Sequence, residues 1–147
     1  MPEYNAATDL LERNLRAGRG GKVAYVDAFG PVNYTALAER VDRAGDALRG
    51  LGVQIEQRVM LVMQDTVDLV AVFLGAIKIG AVPVPVNTLL TAADYAHFLG
   101  DSRARVLVVS DALLPKLRDA RACSPWLAAT VVARTPEGGP DDGLPRL

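Results

Sequence analysis

Hydrophobic positions recur along the chain in two rhythms, and the switches between them predict its elements. Leu10, Leu11 and Leu15 return near helical spacing while Glu12, Arg13 and Arg16 point elsewhere, which predicts a helix over residues 5–17. Gly18, Gly20 and Gly21 stop it, because glycine accepts the left-handed geometry of a helix end. Two short runs, residues 22–27 and 31–34, flank a Phe29-Gly30 turn and predict a β-hairpin. Leu37, Val41, Ala44, Leu48 and Leu51 then define an amphipathic helix, with Thr35 as its expected N-cap and Gly52 as its end.

Residues 58–64 are a continuous apolar run of strand length, the signature of a strand buried on both faces. Thr66 is the expected cap of the next helix, residues 67–80, which is apolar nearly all round and therefore needs cover on more than one side. Residues 81–86 form a strand whose Pro83 and Pro85 lack amide donors, so it belongs at a sheet edge or carries a kink. Thr91 and Asp94 match the capping-box pattern at the start of a third helix, residues 91–102. A strand at 106–110, a short helix at 111–121 with Pro115 in its first turn, and a strand at 130–133 complete the series.

From Arg58 onward strands and helices alternate. Parallel strands need crossovers, and helices supply them with a right-handed connection. The predicted fold is therefore α/β: a layered, largely parallel sheet with flanking helices, preceded by an N-terminal helix and a hairpin. Residues 1–134 form the expected folded unit. Residues 135–147, rich in Pro, Gly and Asp, are expected to be a surface loop or linker.

Composition adds exclusions. A net charge of -1 provides no field to attract nucleic acid or an anionic membrane. The arginines are scattered and are expected to be solvated. The longest apolar stretch, residues 67–79, is broken by Asp68 and Lys78 and falls short of the roughly 20 residues that span a bilayer. The N-terminus has acids near its start and no signal-peptide core. The single cysteine, Cys123, cannot form an internal disulfide, so a reducing cytoplasm is the expected compartment.

Candidate chemistry is sparse. Gly20-Gly21 follows a helix and Gly138-Gly139 lies in the tail, so neither is a phosphate cradle between strand and helix. Ser102, Ser110 and Ser124 lack the GxSxG elbow, and Ser110 is expected to cap a helix. Cys123 is expected to be half-buried and structural rather than paired with the only histidine, His97, which is expected to be packed or surface-lying. One Cys and one His make no metal cluster of recognisable spacing. Asp65 and Asp68 bracket a strand-to-helix turn, where capping and dipole pairing account for acids, and Trp126 is expected to anchor packing. On these grounds no catalytic or metal-binding residue is assigned, and cofactor-binding residues are left unknown.

Two motifs carry a resemblance. LGAIKIGAVPVPV, residues 74–86, is similar to a core phrase of the adenylate-forming enzymes, and VNYTALAERVDRAGDALRGLGV resembles their earlier strand-to-helix motif, with Tyr34 and Leu37 in its Y-x-x-L. NAATDLLERNL, KVAYVD, PVNTLLTAADYAHFLGDSRARVLVVS and LLPKL resemble the benzoate-CoA and 4-hydroxybenzoate-CoA ligases, and the likeness covers residues 4–133. The resemblance implies an incomplete N-terminal subdomain of the adenylate-forming fold. It implies a whole enzyme that activates an aromatic carboxylic acid as acyl-adenylate and passes it to coenzyme A, using ATP and Mg²⁺. The family's phosphate loop, adenine and ribose motifs and C-terminal lysine match no stretch here. Leu89 and Leu90 stand where some relatives carry a basic residue near the coenzyme A entrance, and Asn87 and Thr88 are expected to serve the turn. The chain alone is thus expected to be inactive, to bind no cofactor tightly, and to self-associate through an uncovered sheet edge or apolar helix faces. The competing expectations are a non-catalytic interaction module that keeps the fold, and a small α/β nucleotide or phosphate binder, which the missing phosphate loop disfavours.

Overall fold

A computed structural model describes residues 4–147. Met1, Pro2 and Glu3, part of the acid-bearing start discussed above, lie outside the described residues. Helix α1 (Ala6–Arg16) leads into strands β1 (Val23–Asp27) and β2 (Gly30–Asn33), then helix α2 (Tyr34–Gly50). Strand β3 (Arg58–Val62), helix α3 (Val67–Lys78), strand β4 (Val82–Pro85), helix α4 (Ala92–Ser102) and strand β5 (Val106–Ser110) follow. A 3-10 turn (Asp111–Leu113) opens onto helix α5 (Leu114–Cys123), and strand β6 is Ala129–Ala133. Pro115 lies in the first turn of α5, where its missing amide costs nothing.

Strands β1 and β2 pair antiparallel as the expected hairpin. The other strands form a parallel sheet in the order β4-β3-β5-β6. Their alternating side chains feed two cores. Val59, Leu61, Val106, Val108 and Val131 face α2 and α3, while Met60, Val62, Leu107, Val109 and Val132 face α4 and α5. Burial on both faces explains the unbroken apolar runs of β3 and β5. Helix α3, apolar nearly all round, is covered by the sheet on one side and by α1, α2 and the hairpin on others.

Both edges of the sheet are closed. On β4, Val82 and Val86 donate inward to the Gln57 and Leu61 carbonyls at 2.9 Å. The alternate, outward positions are Pro83 and Pro85, which have no amide to offer a new strand. On β6, Val132 donates to the Pro145 carbonyl at 2.9 Å and accepts from the Leu147 amide at 3.0 Å, so the tail runs beside the strand.

Three helix starts differ from expectation. Asn33, not Thr35, caps α2, its Oδ1 accepting from the Ala36 amide at 2.8 Å. Thr66 has the N-cap backbone but its hydroxyl makes no capping bond. Asp27, on the hairpin, instead accepts from the Val67 amide at 2.8 Å. Ser110 likewise caps nothing, because its Oγ faces across the sheet. The capping box of Thr91 and Asp94 forms as expected. Among the described residues no helix is long and apolar enough to cross a membrane.

Candidate functional site

In an open parallel sheet, ligands bind beyond the carboxyl ends of the strands, where the connections diverge to opposite faces. Here α3 leaves β3 toward one face while α4 and α5 cover the other, so β3 and β5 define that divergence. The segments gathered at this end are Met63–Thr66, Val86–Leu90, Ser110–Asp111 and Arg134–Thr135.

The polar groups of this end satisfy one another. The Gln64 amide donates to Ser110 Oγ at 2.8 Å, bridging the β3 and β5 exits. Asp111 is fully buried (0% exposed), and its Oδ1 accepts from the Ala112 amide (2.8 Å), the Thr135 amide (3.1 Å) and the Thr135 hydroxyl (2.5 Å). Its Oδ2 is buried without a hydrogen bond, and Arg146 Nη1 stands 4.0 Å away. Asp68 pairs with Arg40 at 3.2 Å, tying the start of α3 to α2. Asp27 accepts from the Phe29 amide as well as from Val67. The bond from Val67 is the main cause that holds its carboxyl below the usual aspartate value.

A cavity of about 350 Å³ opens at the β3 and β4 exits, lined by Leu61, Met63, Gln64, Asp65, Asn87 and Thr88 among others. Asn87 Oδ1 accepts from the Leu89 amide at 2.8 Å, and the Asn87 carbonyl accepts from the buried Tyr95 hydroxyl at 3.0 Å. Burial raises the Tyr95 pKa further above its ordinary value, so the phenol is a donor in that bond. Asn87 thus serves the turn, as its type and place suggested.

A phosphate-bearing cofactor needs free amides or fixed cations at such an end. The amides of Gln64, Val67, Ala112 and Thr135 are already taken by Ser110, Asp27 and Asp111. Asp65, Asp68 and Asp111 add negative charge. These residues do not fit a nucleotide phosphate. Gly139 is a packing residue, since a Cβ there would lie 2.7 Å from the Asp111 carbonyl carbon. No group of three metal-ligating side chains occurs among the described residues.

The remaining single residues separate. Cys123 is exposed at the end of α5, not half-buried as expected, because the face that α5 buries is that of Leu114, Leu117 and Ala120. His97 is exposed on α4 and tilts against Phe98, with ring centres 5.7 Å apart, and no hydrogen bond joins it to Cys123 among the described residues. Trp126 is 47% exposed and carries the Arg103 guanidinium 5.1 Å above its ring. It is a partner for a cation, not the expected packing anchor. Asp111 and its Thr135 contact were missed from sequence; Ser110-Asp111 at the end of an apolar strand was the available signal.

The parallel sheet and its sequence motifs define a class, the N-terminal scaffold of the adenylate-forming enzymes. The AMP-binding enzyme family matches residues 11–142, and the chain belongs to that family. It is 50% identical over its whole length to the benzoate–CoA ligase of Thauera aromatica, covering 28% of that protein. It is 46% identical to the 4-hydroxybenzoate–CoA/benzoate–CoA ligase of Rhodopseudomonas palustris over 90% of this chain and 24% of that one. Among solved structures, a benzoate CoA ligase from Burkholderia xenovorans LB400 superposes with TM-score 0.82 at 40% identity, over 93% of this chain and 27% of that one. The chain therefore spans about a quarter of the length of these relatives.

Proposed function

We propose that this chain is the N-terminal part of an ATP-dependent carboxylate–CoA ligase of the benzoate or hydroxybenzoate class, and that it is inactive alone. The observation that carries this reading is its 50% identity, end to end, with a benzoate–CoA ligase of which it covers 28%. ATP, Mg²⁺ and coenzyme A belong to the whole enzyme. The occupied amides at the strand exits support the view that this part binds none of them tightly. Residues 1–134 act as the scaffold subdomain and 135–147 as the loop that leads out of it, in a cytoplasmic protein.

The uncovered surfaces support the same reading. A groove of about 490 Å³, lined by Leu10, Tyr25, Phe73, Leu74 and Pro85 among others, faces outward between α1, α3 and the hairpin. Apolar faces of this kind are covered by the remainder of a larger fold, or cause self-association when left bare. With both sheet edges closed, self-association falls to these faces. The closed edges also favour a second reading, a non-catalytic module that keeps the scaffold without the chemistry.

Two measurements test the proposal. The purified chain, given benzoate, ATP, Mg²⁺ and coenzyme A, is expected to release no pyrophosphate; robust adenylate formation would refute its inactivity. A chimera in which this chain replaces the matching quarter of the Thauera aromatica ligase is expected to form benzoyl-CoA. A folded but inactive chimera would favour the module.

A further inference from the structure

The chain contains one Asp-Gly step and no Asn-Gly step, and the Asp-Gly step is Asp142-Gly143 in the tail. Such a step is open to a spontaneous backbone rearrangement, because glycine has no Cβ to keep its amide nitrogen away from the preceding side chain. The step is an exposed turn outside any helix or strand. Both residues are left-handed, with φ of 51° and 71°, a conformation that is strained for a residue with a Cβ. In the fold each reacting group is occupied. Arg118, on α5, donates to both Asp142 carboxylate oxygens at 2.8 Å, and Arg121 Nη2 stands 3.5 Å from one of them. The hydrogen bonds from Arg118 hold that carboxyl below the usual aspartate value. The Gly143 amide donates to Asp141 Oδ1 at 3.0 Å.

We propose that Asp142 is a site of isoaspartate formation, held in check by the Arg118 clamp. In the reaction the Gly143 nitrogen bonds to Asp142 Cγ and the Cγ–OH bond breaks. The amide proton and the hydroxyl leave as water, and a five-membered succinimide remains. Water then adds at the Asp142 main-chain carbonyl and breaks its bond to nitrogen, so the chain runs on through Cγ. No oxidant or cofactor takes part. The leaving hydroxyl requires a protonated carboxyl, and a guanidinium fork favours the ionised one. The product has one more methylene in its backbone, and its free carboxylate sits directly on Cα. That carboxylate no longer meets the Arg118 fork, and Leu147 loses its register with Val132. The rearrangement thus loosens the tail without cutting the chain. The inference concerns the tail alone and stands whether or not the ligase reading holds.

The test is incubation of the purified chain at neutral pH, folded and in urea. Isoaspartate is counted by methyl transfer from labelled S-adenosylmethionine with a protein-isoaspartate methyltransferase, and located in the tryptic peptide 135–146. The unfolded chain is expected to react fastest and the folded wild type slowest. Arg118 is about half exposed, so Arg118→Ala keeps the fold, and it is expected to raise the folded-state rate about two- to fivefold. Arg118→Lys, which keeps the charge without the fork, is expected to fall between. In Arg118→Ala, exchange at the Leu147 and Val132 amides is expected to start at the wild-type rate and to accelerate as isoaspartate accumulates. Equal rates in the folded and unfolded wild type would overturn the proposal, as would an Arg118→Ala variant no faster than wild type. Absence of isoaspartate from the peptide in the unfolded chain would overturn it too.

Discussion

Asp27 shows how a single side chain can join two parts of a fold. Its carboxylate takes the first amide of α3 and one in its own hairpin turn, so it pins the hairpin to a helix 40 residues further on. A cap of this type is worth about 1 kcal/mol. Asp27→Ala is expected to lower stability by about that amount in denaturant unfolding. The pH dependence has a defined sign. The folded-state pKa lies below the unfolded one, so the stabilisation is present above the ordinary aspartate value of 3.8 and is lost as pH falls through the lower folded value. Acid unfolding of the wild type and the variant is expected to converge at low pH. A constant gap across the titration would exclude the carboxylate charge as the cause. This bond also marks a limit of sequence reasoning. Thr66 has the right type and place for a cap, and nothing in local spacing reveals that a distant aspartate has taken the amide. Ser110, which bonds the Gln64 amide 46 residues away, was hidden for the same reason.

At the scale of elements, far more was legible. Helical spacing located α1 and α2, an apolar segment between Thr66 and Gly80 located α3, the prolines pointed to an edge or a kink for β4, which lies at an edge, and an unbroken apolar run marked β3 as buried on both faces. These signals are periodic and local, so they survive without tertiary information. The distance at which two helices pack does not. Helices α2 and α3 meet at Gly45 and Gly75, where a Cβ on Gly75 would stand 2.9 Å from the Val41 carbonyl oxygen and the Gly45 nitrogen. Both obstacles are backbone and cannot swing aside. Gly75→Ala gains up to about 1 kcal/mol of helix propensity but incurs an overpacking cost of about 1–3 kcal/mol. With backbone on two sides the cost lies at the upper end, so a net loss of about 1–2 kcal/mol is expected. Gly100 on α4 is the control, because nothing lies within 4 Å of its added Cβ. Gly100→Ala is expected to stabilise by up to about 1 kcal/mol. Thermal unfolding of the two variants should therefore shift in opposite directions, and a gain for Gly75→Ala would mean that the helices are not held this closely.

For the whole molecule, the question is what fixes residues 135–147 to the sheet. Their composition suggested a loop or linker, yet they contribute paired backbone at Val132, a buried Thr135 and two carboxylates gripped by arginines. Arg118 holds Asp142 through two bonds of 2.8 Å, and Arg146 holds Asp141 at 2.9 Å. These contacts are exposed, and exposed ion pairs contribute roughly 0–1 kcal/mol each. The stronger anchor is Asp111, which is buried and receives three bonds, two of them from Thr135. Removing that acceptor leaves the buried amide and hydroxyl of Thr135 unsatisfied, at about 1–3 kcal/mol. Asp111→Ala is therefore expected to free the tail, whereas Arg118→Ala is expected to leave it in place. Hydrogen exchange at the Leu147 and Val132 amides distinguishes these outcomes, because both amides are protected only by the pairing of tail with strand. Accelerated exchange in Arg118→Ala with none in Asp111→Ala would show that surface charge, and not the buried carboxylate, holds the tail against β6.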